Sequence, residues 1–148
     1  MKRILNITAI FIFIFLAIIT GCEPDYSDLD CSECYRIKPE WGALNVDVTI
    51  NNENDSVPVI IYRGKPEDND IEWVDTAVSK DYIIDVPIAT KGRYYSIAAY
   101  YKVGENTVIA VDGDEIKSVK TTTACDTTCW YISGGSIDVR LKYTEIDE

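Results

Sequence analysis

The strongest strand signal in the chain is the stretch Arg93–Val103, which reads RYYSIAAYYKV. It carries tyrosines on both faces of an extended segment, and aromatic residues of this kind favour the pleated surface of a sheet. The residues Gly104-Glu105-Asn106 then form a turn signal, and the β-branched run Thr107–Val111 follows. Two such runs joined by a short glycine-containing connection predict a β-hairpin.

Shorter segments on both sides of this hairpin repeat the period-two alternation of a strand with one buried face. Turn signals separate them, including Asp112-Gly113 and Gly134-Gly135. No stretch after residue 22 places apolar residues at helical spacing over a helical length. The chain is therefore predicted to be all-β, an antiparallel Greek-key β-sandwich of about seven strands. The predicted strands cover residues 43–51, 57–63, 71–78, 82–88, 93–103, 107–111, 115–121 and 136–143.

Two families share local patterns with these strands. The run Tyr95–Ala99 followed by Gly104 resembles the F strand of fibronectin type III domains. The opening Leu44–Ile50, the run Pro58–Tyr62 and the pair Val86-Pro87 resemble transthyretin-like domains related to the carboxypeptidase regulatory module. Both resemblances imply a seven-stranded sandwich, and they leave open whether its topology is fibronectin III-like or transthyretin-like.

Composition narrows the function classes. The chain has 148 residues, 14 Lys+Arg against 25 Asp+Glu, a formal net charge of -11 and no histidine. This length suits one domain, and the acidic balance argues against a nucleic-acid partner because phosphate binding needs a basic surface. Without histidine, Ser-His-Asp and Cys-His catalysis are excluded. No pair of carboxylates is marked by its local context as an acid–base site, so we expect neither an enzyme nor a cofactor.

The first 22 residues have the parts of an export signal. Lys2 and Arg3 give a basic start, and the uninterrupted apolar core Ala9–Ile19 is shorter than the roughly 20 residues of a membrane-spanning helix. The sequence Ile19-Thr20-Gly21-Cys22 follows. Basic start, apolar core and the small-small-Cys ending together resemble the lipobox signal of bacterial lipoproteins.

That resemblance implies cleavage between Gly21 and Cys22 and acylation of Cys22, so that acyl chains hold the mature protein on a membrane. We expect a signal peptide over 1–21, a lipidated acidic tether over 22–40 and the sandwich over 41–148. The acidic residues after Cys22 resemble the export signal of surface lipoproteins in the Bacteroidota. Attachment to the outer membrane at the cell surface and at its periplasmic face both stay open. An ordinary secretory signal or an uncleaved anchor is the alternative.

Four further cysteines form two close pairs, Cys31 and Cys34 before the first predicted strand and Cys125 and Cys129 before the last. Paired short spacings are typical of tetrathiolate metal sites, but an exported chain enters an oxidising compartment where cysteines pair. We therefore expect two disulfides and no metal. The favoured connectivity joins one pair to the other, and two local bridges are the alternative. A redox pair at Cys31 and Cys34 is disfavoured because no helix is predicted after it.

Candidate binding residues are the aromatic side chains Trp73, Trp130 and Tyr131, which could stack on sugar rings, although aromatic residues in strands more often pack in cores and cross-strand pairs. The acidic runs Asp112–Glu115 and Glu67–Asp70 could hold calcium, but solvated turns explain them better. We expect a lipid-anchored, non-catalytic accessory or interaction module of the cell envelope, whose partner is an envelope protein. The alternative is a surface glycan-binding lipoprotein.

Overall fold

The computed structural model describes residue 31 and residues 34–88, 92–122 and 127–142. The predicted signal peptide, the predicted lipidation site Cys22 and the predicted disulfide cysteine Cys125 lie outside these residues. Eight strands are present in the described part. They are β1 (Trp41–Asp47), β2 (Val57–Arg63), β3 (Ile71–Ala77), β4 (Asp81–Pro87), β5 (Arg93–Val103), β6 (Asn106–Thr121), β7 (Cys129–Gly134) and β8 (Ser136–Asp138).

The strands form two sheets, one of five strands in the order β3-β2-β5-β6-β7 and one of three in the order β4-β1-β8. The predicted all-β sandwich is therefore confirmed. The pair β1–β8 is parallel, and the other strand pairs in the described part of the chain are antiparallel. In immunoglobulin-like sandwiches, strands C′, C, F and G face strands B and E. Here β3, β2, β5 and β6 have that order opposite β1 and β4.

The core lies between the sheets and is built from alternate positions of the strands. On β2 and β5 the inward residues are apolar and fully buried, and β1 contributes the same pattern from the opposite sheet. This is the period-two burial that the alternation predicted. The largest fully buried aliphatic side chains in this core are Leu44, Ile61, Ile97, Ile116 and Ile137.

Strand bounds depart from the predictions mainly between residues 106 and 143. The predicted turn at Asp112-Gly113 is wrong, because both residues lie inside β6, which runs unbroken over 16 residues. A glycine fits this strand interior because the hydroxyl of Tyr94 lies where a side chain would otherwise stand. The strand β7 was not predicted, since Cys129–Gly134 lacks an alternating apolar pattern, and the last strand extends only over Ser136–Asp138.

Two buried tyrosines of β5 reach across the core to the backbone beyond it. The hydroxyl of Tyr95 donates a 2.9 Å hydrogen bond to the carbonyl of Pro87 at the end of β4. The hydroxyl of Tyr101 donates to the carbonyl of Val139 at 2.8 Å and accepts the amide of Thr49 at 3.1 Å. Each hydroxyl therefore satisfies backbone groups that would otherwise be buried without a partner.

A disulfide between Cys34 and Cys129 joins the segment before β1 to the first residue of β7. It links the two cysteine pairs of the sequence, with Cα atoms 5.6 Å apart and a sequence separation of 95, rather than closing a local loop. Cys31 is also disulfide-bonded, and its partner lies outside the described residues. Tyr35, in the stretch expected to be the tether, is held against the sandwich, because its backbone and that of Trp130 exchange hydrogen bonds of 2.7 and 2.8 Å.

We predict that Tyr101→Phe lowers the free energy of unfolding by about 1–3 kcal/mol, because it leaves the carbonyl of Val139 and the amide of Thr49 without their partner. Urea unfolding followed by intrinsic fluorescence measures the change. Tyr94→Phe on the exposed side of the same strand is the matched control and should stay within about 0.5 kcal/mol of the native protein. Equal effects of the two substitutions would contradict the bridging role of Tyr101.

Candidate interaction surface

The outer face of the five-stranded sheet, turned away from the three-stranded sheet, carries a row of apolar side chains. Val74 on β3, Ile60 on β2, Ala98 on β5 and Val111 on β6 are direct neighbours in the strand register. We call these four residues the apolar row. The side chains at its two ends are the most open to solvent, with Val74 64% and Val111 53% exposed. A continuous apolar surface four strands wide therefore faces away from the core.

Tyrosines extend this surface on both sides of the row. Tyr62 and Tyr100 lie two residues beyond Ile60 and Ala98 on antiparallel strands, so they flank the row from opposite sides. Burial raises the pKa of Tyr62, and the neighbouring phenol of Tyr100 raises it further. The contact therefore crosses the row and helps to cover Ala98, which is only 3% exposed.

Further along the face, the apolar character continues on β6. Ile109, the register neighbour of Tyr100, is 52% exposed. Together with the row, these residues offer hydrocarbon and phenol groups, whose main contribution to binding is the release of water from apolar area. The chemistry available on this surface is contact and desolvation rather than bond making.

The predicted acidic run Asp112–Glu115 has a structural role different from both earlier expectations. One carboxylate oxygen of Asp114 accepts the amides of Gly135 at 2.8 Å and Ser136 at 3.1 Å, and the other accepts the amide of Glu115 at 2.8 Å. Asp112 accepts the amide of Asp138 at 2.8 Å. The two carboxylates therefore fasten β8 to β6.

This arrangement does not gather the acids into a calcium site. Asp112 and Asp114 point to one face of β6, whereas Glu115 lies on the opposite face because successive residues of a strand alternate. Residues Glu67–Asp70 are also used locally, since the carboxylate of Asp68 accepts the amide of Lys65 at 3.2 Å and closes a single 3-10 turn. No group of three potential metal-ligating side chains occurs within residues 31, 34–88, 92–122 and 127–142.

A tyrosine–carboxylate contact closes the edge of the sandwich that β3 and β4 form. The hydroxyl of Tyr82 on β4 donates a hydrogen bond to Asp75 on β3, and this contact joins the two sheets. Burial raises the pKa of the Tyr82 hydroxyl, and Asp75 raises it further. The hydrogen bond from Tyr82, with a second from the amide of Thr76, lowers the pKa of the Asp75 carboxyl.

The aromatic candidates Trp73, Trp130 and Tyr131 do not lie together. Trp73 is on β3 at one edge of the five-stranded sheet, half-buried and packed against the core. Trp130 and Tyr131 are on β7 at the other edge, four strand spacings or about 19 Å away, and as neighbours in one strand they face opposite sides. The ammonium of Lys38 also lies 5.9 Å from the centre of the Trp130 ring. These three rings therefore do not form one stacking platform.

Sequence reasoning missed the apolar row, although the signal was present. The run Val59-Ile60-Ile61 and the run Thr107–Val111 are apolar on both faces of their strands, and only one face of each can reach the core. A strand of a two-layer sandwich that is apolar on both sides predicts either a covering element or an exposed apolar face.

We predict that Asp114→Ala lowers the free energy of unfolding by about 1–3 kcal/mol, because it removes the acceptor of two backbone amides. Hydrogen exchange at the amides of Gly135 and Ser136 should become faster. Asp114→Asn keeps one oxygen acceptor and is expected to lose less stability. Added calcium should leave the thermal midpoint of the native protein unchanged, and a calcium-dependent rise abolished by Asp114→Ala would contradict this assignment.

Within the described residues, no helix combines the length and the apolar character needed to cross a membrane. Comparison of the chain with models of known families, with curated proteins and with solved structures gave no match.

Proposed function

We propose that this chain is a lipid-anchored, non-catalytic interaction module of the bacterial cell envelope, which binds a protein partner through the outer face of its five-stranded sheet. The observation that carries the proposal is the apolar row. Val74 and Val111 at its ends are more than half exposed, although the chain is rich in charged residues and has a formal net charge of -11.

Contiguous apolar patches on otherwise polar proteins mark binding surfaces, because exposed hydrocarbon gains free energy when a partner removes it from water. The outer face adds the other features of an interface core. It is rich in tyrosine, and Tyr94, Tyr100 and Ile109 surround the row, whereas charged residues are depleted at interface centres. An aromatic and uncharged centre of this kind fits a protein surface as the partner.

Two features support the envelope location. The lipobox resemblance at Ile19–Cys22 implies export and acylation, and the disulfide Cys34–Cys129 is of a kind that persists in oxidising compartments. Cys34 follows Cys22 by 12 positions, and a chain of that length spans at most about 40 Å. Acylation at Cys22 would therefore keep the sandwich close to the membrane.

Glycan binding is the weaker alternative, because the structure separates the rings that it would need. Stacking on a sugar chain requires aromatic faces along one exposed line, whereas Trp73 and Trp130 occupy opposite edges of the sheet. Binding on a glycan array that is lost in Trp130→Ala would favour the alternative.

We predict that labelled palmitate is incorporated into the native protein in the membrane fraction and not into Cys22→Ser, because the thiol at this position would carry the lipid. The Cys22→Ser product should also keep its signal segment and the mass of the precursor. The readouts are a label in gel bands and an intact mass. An unlabelled native protein of full precursor mass in the soluble fraction would refute the anchor.

We predict that a photo-crosslinking amino acid at position 74 yields a discrete cross-linked species in the cells that make the protein, whereas the same amino acid at position 83 does not. Val74 and Ile83 are both 64% exposed and both lie on edge strands, but Ile83 belongs to the other sheet. The cross-linked species should disappear when Val111→Asp is added, because the charge interrupts the row.

Gel mobility and mass spectrometry of the cross-linked species identify what was bound. Equal cross-linking from both positions would contradict a specific outer-face interface. A species of twice the chain mass would assign the face to a second copy of this chain and refute a different protein as its partner.

A further inference from the structure

The hairpin β5–β6 determines which backbone groups of β6 point outward from the sheet. Gly104 and Glu105 form its two-residue turn, and the positive φ of 60° at Gly104 is the feature of a type II′ turn. Val103 and Asn106 close this turn as a hydrogen-bonded pair, and hydrogen-bonded pairs alternate along antiparallel strands. The amides and carbonyls of Thr107, Ile109 and Val111 therefore point away from β5.

Nothing in the described part of the chain pairs with these groups. The neighbouring strand β7 covers β6 only over Ile116–Thr121. We call the uncovered space beside residues 107–111 the open lane. It continues the line of β7 along the edge of β6.

The other side of the same hairpin shows how this chain seals such an edge. Strand β2 does not reach Lys102 on β5, but the buried side chain of Asn54 does. Its amide nitrogen donates to the carbonyl of Lys102 at 2.9 Å, and its oxygen accepts the amide of Lys102 at 2.7 Å. No described side chain makes the equivalent bonds in the open lane.

The chain leaves the lane at a defined point. Gly134 and Gly135 have φ of 81° and 87°, which turns the backbone away from β6 and into β8 of the other sheet. The carboxylate of Asp114 fixes this crossover by accepting the amides of Gly135 and Ser136. The lane is therefore left open by a turn that the hydrogen bonds to Asp114 stabilise.

A cavity of about 490 Å³ lies along the lane, between β6 and residues 138–142. Val103, Val108, Ala110 and Leu141 give it an apolar lining. A strand added beside β6 would place alternate side chains into this cavity, and the side chains between them would extend the outer face next to Ile109 and Val111. The lane therefore offers both main-chain hydrogen bonds and side-chain pockets, which is the combination used in strand addition.

We propose that the open lane binds one extended segment of a partner polypeptide, which pairs with residues 107–111 and enlarges the five-stranded sheet. This segment has alternating apolar side chains and a basic residue at each end. Residues 107–111 are uncharged, and an acid flanks each end of the lane, Glu105 at the hairpin turn and Asp112 at the crossover, whereas Asp138 is already paired with Arg140. The inference deepens the proposed function, on which it rests for a protein partner.

Two other occupants fit less well. A second copy of the sandwich would bring its own residues 138–142 against the cavity and add another net charge of -11. The C-terminal residues 143–148 of this chain contain three acids, Glu145, Asp147 and Glu148, which do not complement acids at both ends of the lane. On the cavity wall, two hydrogen bonds of 2.8 Å already pair Arg140 with Asp138. Lys142 lies on the same wall.

The test uses the intact lipoprotein in detergent and a fluorescent seven-residue peptide of alternating threonine and valine with arginine at both ends. We expect saturable binding by fluorescence anisotropy and slower hydrogen exchange at the amides of Thr107, Ile109 and Val111. Two peptides are matched controls, one N-methylated at the amides of a single edge and one with glutamate at both ends. Each should bind at least about tenfold more weakly.

The variant Ile109→Pro removes the central amide of the lane and leaves the bonds of Val108 and Ala110 to β5, since proline is tolerated on strand edges. We expect at least about tenfold weaker peptide binding. Should this variant fail to fold, Thr107→Pro at the end of the lane replaces it with the same expectation. Val74→Asp, which disrupts the outer face only, should bind the peptide normally, so the two proposals fail separately.

Equal affinity for the native and N-methylated peptides, or no binding, would overturn the inference. Binding that emerges only after deletion of residues 143–148 would assign the lane to the chain's own C-terminal segment, and a concentration-dependent dimer that excludes the peptide would assign it to a second copy. Either outcome overturns a partner segment as the occupant.

Discussion

The hydroxyls of Tyr95 and Tyr101 define how the two sheets face each other. Both side chains project inward from β5 and bond backbone groups beyond the core, one at Pro87 and the other at Thr49 and Val139. A buried backbone group without a partner is costly. Each hydrogen bond therefore holds a particular backbone group of the opposite layer at a set distance from β5. The central strand therefore sets the spacing at both ends of the sandwich.

The same strand determines the shape of the outer face. In the middle of β5, Ile97 points into the core, and the outward residues Ser96 and Ala98 on either side of it are small and buried. The space above them is taken by Tyr62 and Tyr100 from the two sides of the row. An apolar and aromatic face thus follows from small outward residues in the middle of β5 that tyrosines of β2 and β5 cover.

Most of the fold could be predicted from the sequence, and most of the candidate surface could not. The bounds of β2 and β5 follow from alternation and flanking turn residues, which are local. Asp112-Gly113 has the composition of a turn but lies in a strand, because Tyr94 and the crossover of β8 supply long-range contacts to it. Exposure of Val74 and Val111 depends on whether another segment of the chain crosses the outer face, and periodicity carries no information about that.

The unequal lengths of β5, β6 and β7 place the disulfide and the open lane at opposite ends of β6. The 11 residues of β5 pair with β6 over their whole length, whereas β7 pairs only with the far end of β6, where Cys129 is bonded to Cys34. Thr121, which pairs with Cys129, lies 12 positions after Ile109 of the lane. In an extended strand this corresponds to a distance of about 40 Å between the two residues. A chain held at a membrane through Cys22 would be attached at the β7 end of the sandwich. The lane would then lie at the opposite end, where a partner segment reaches it without competing with the lipid surface.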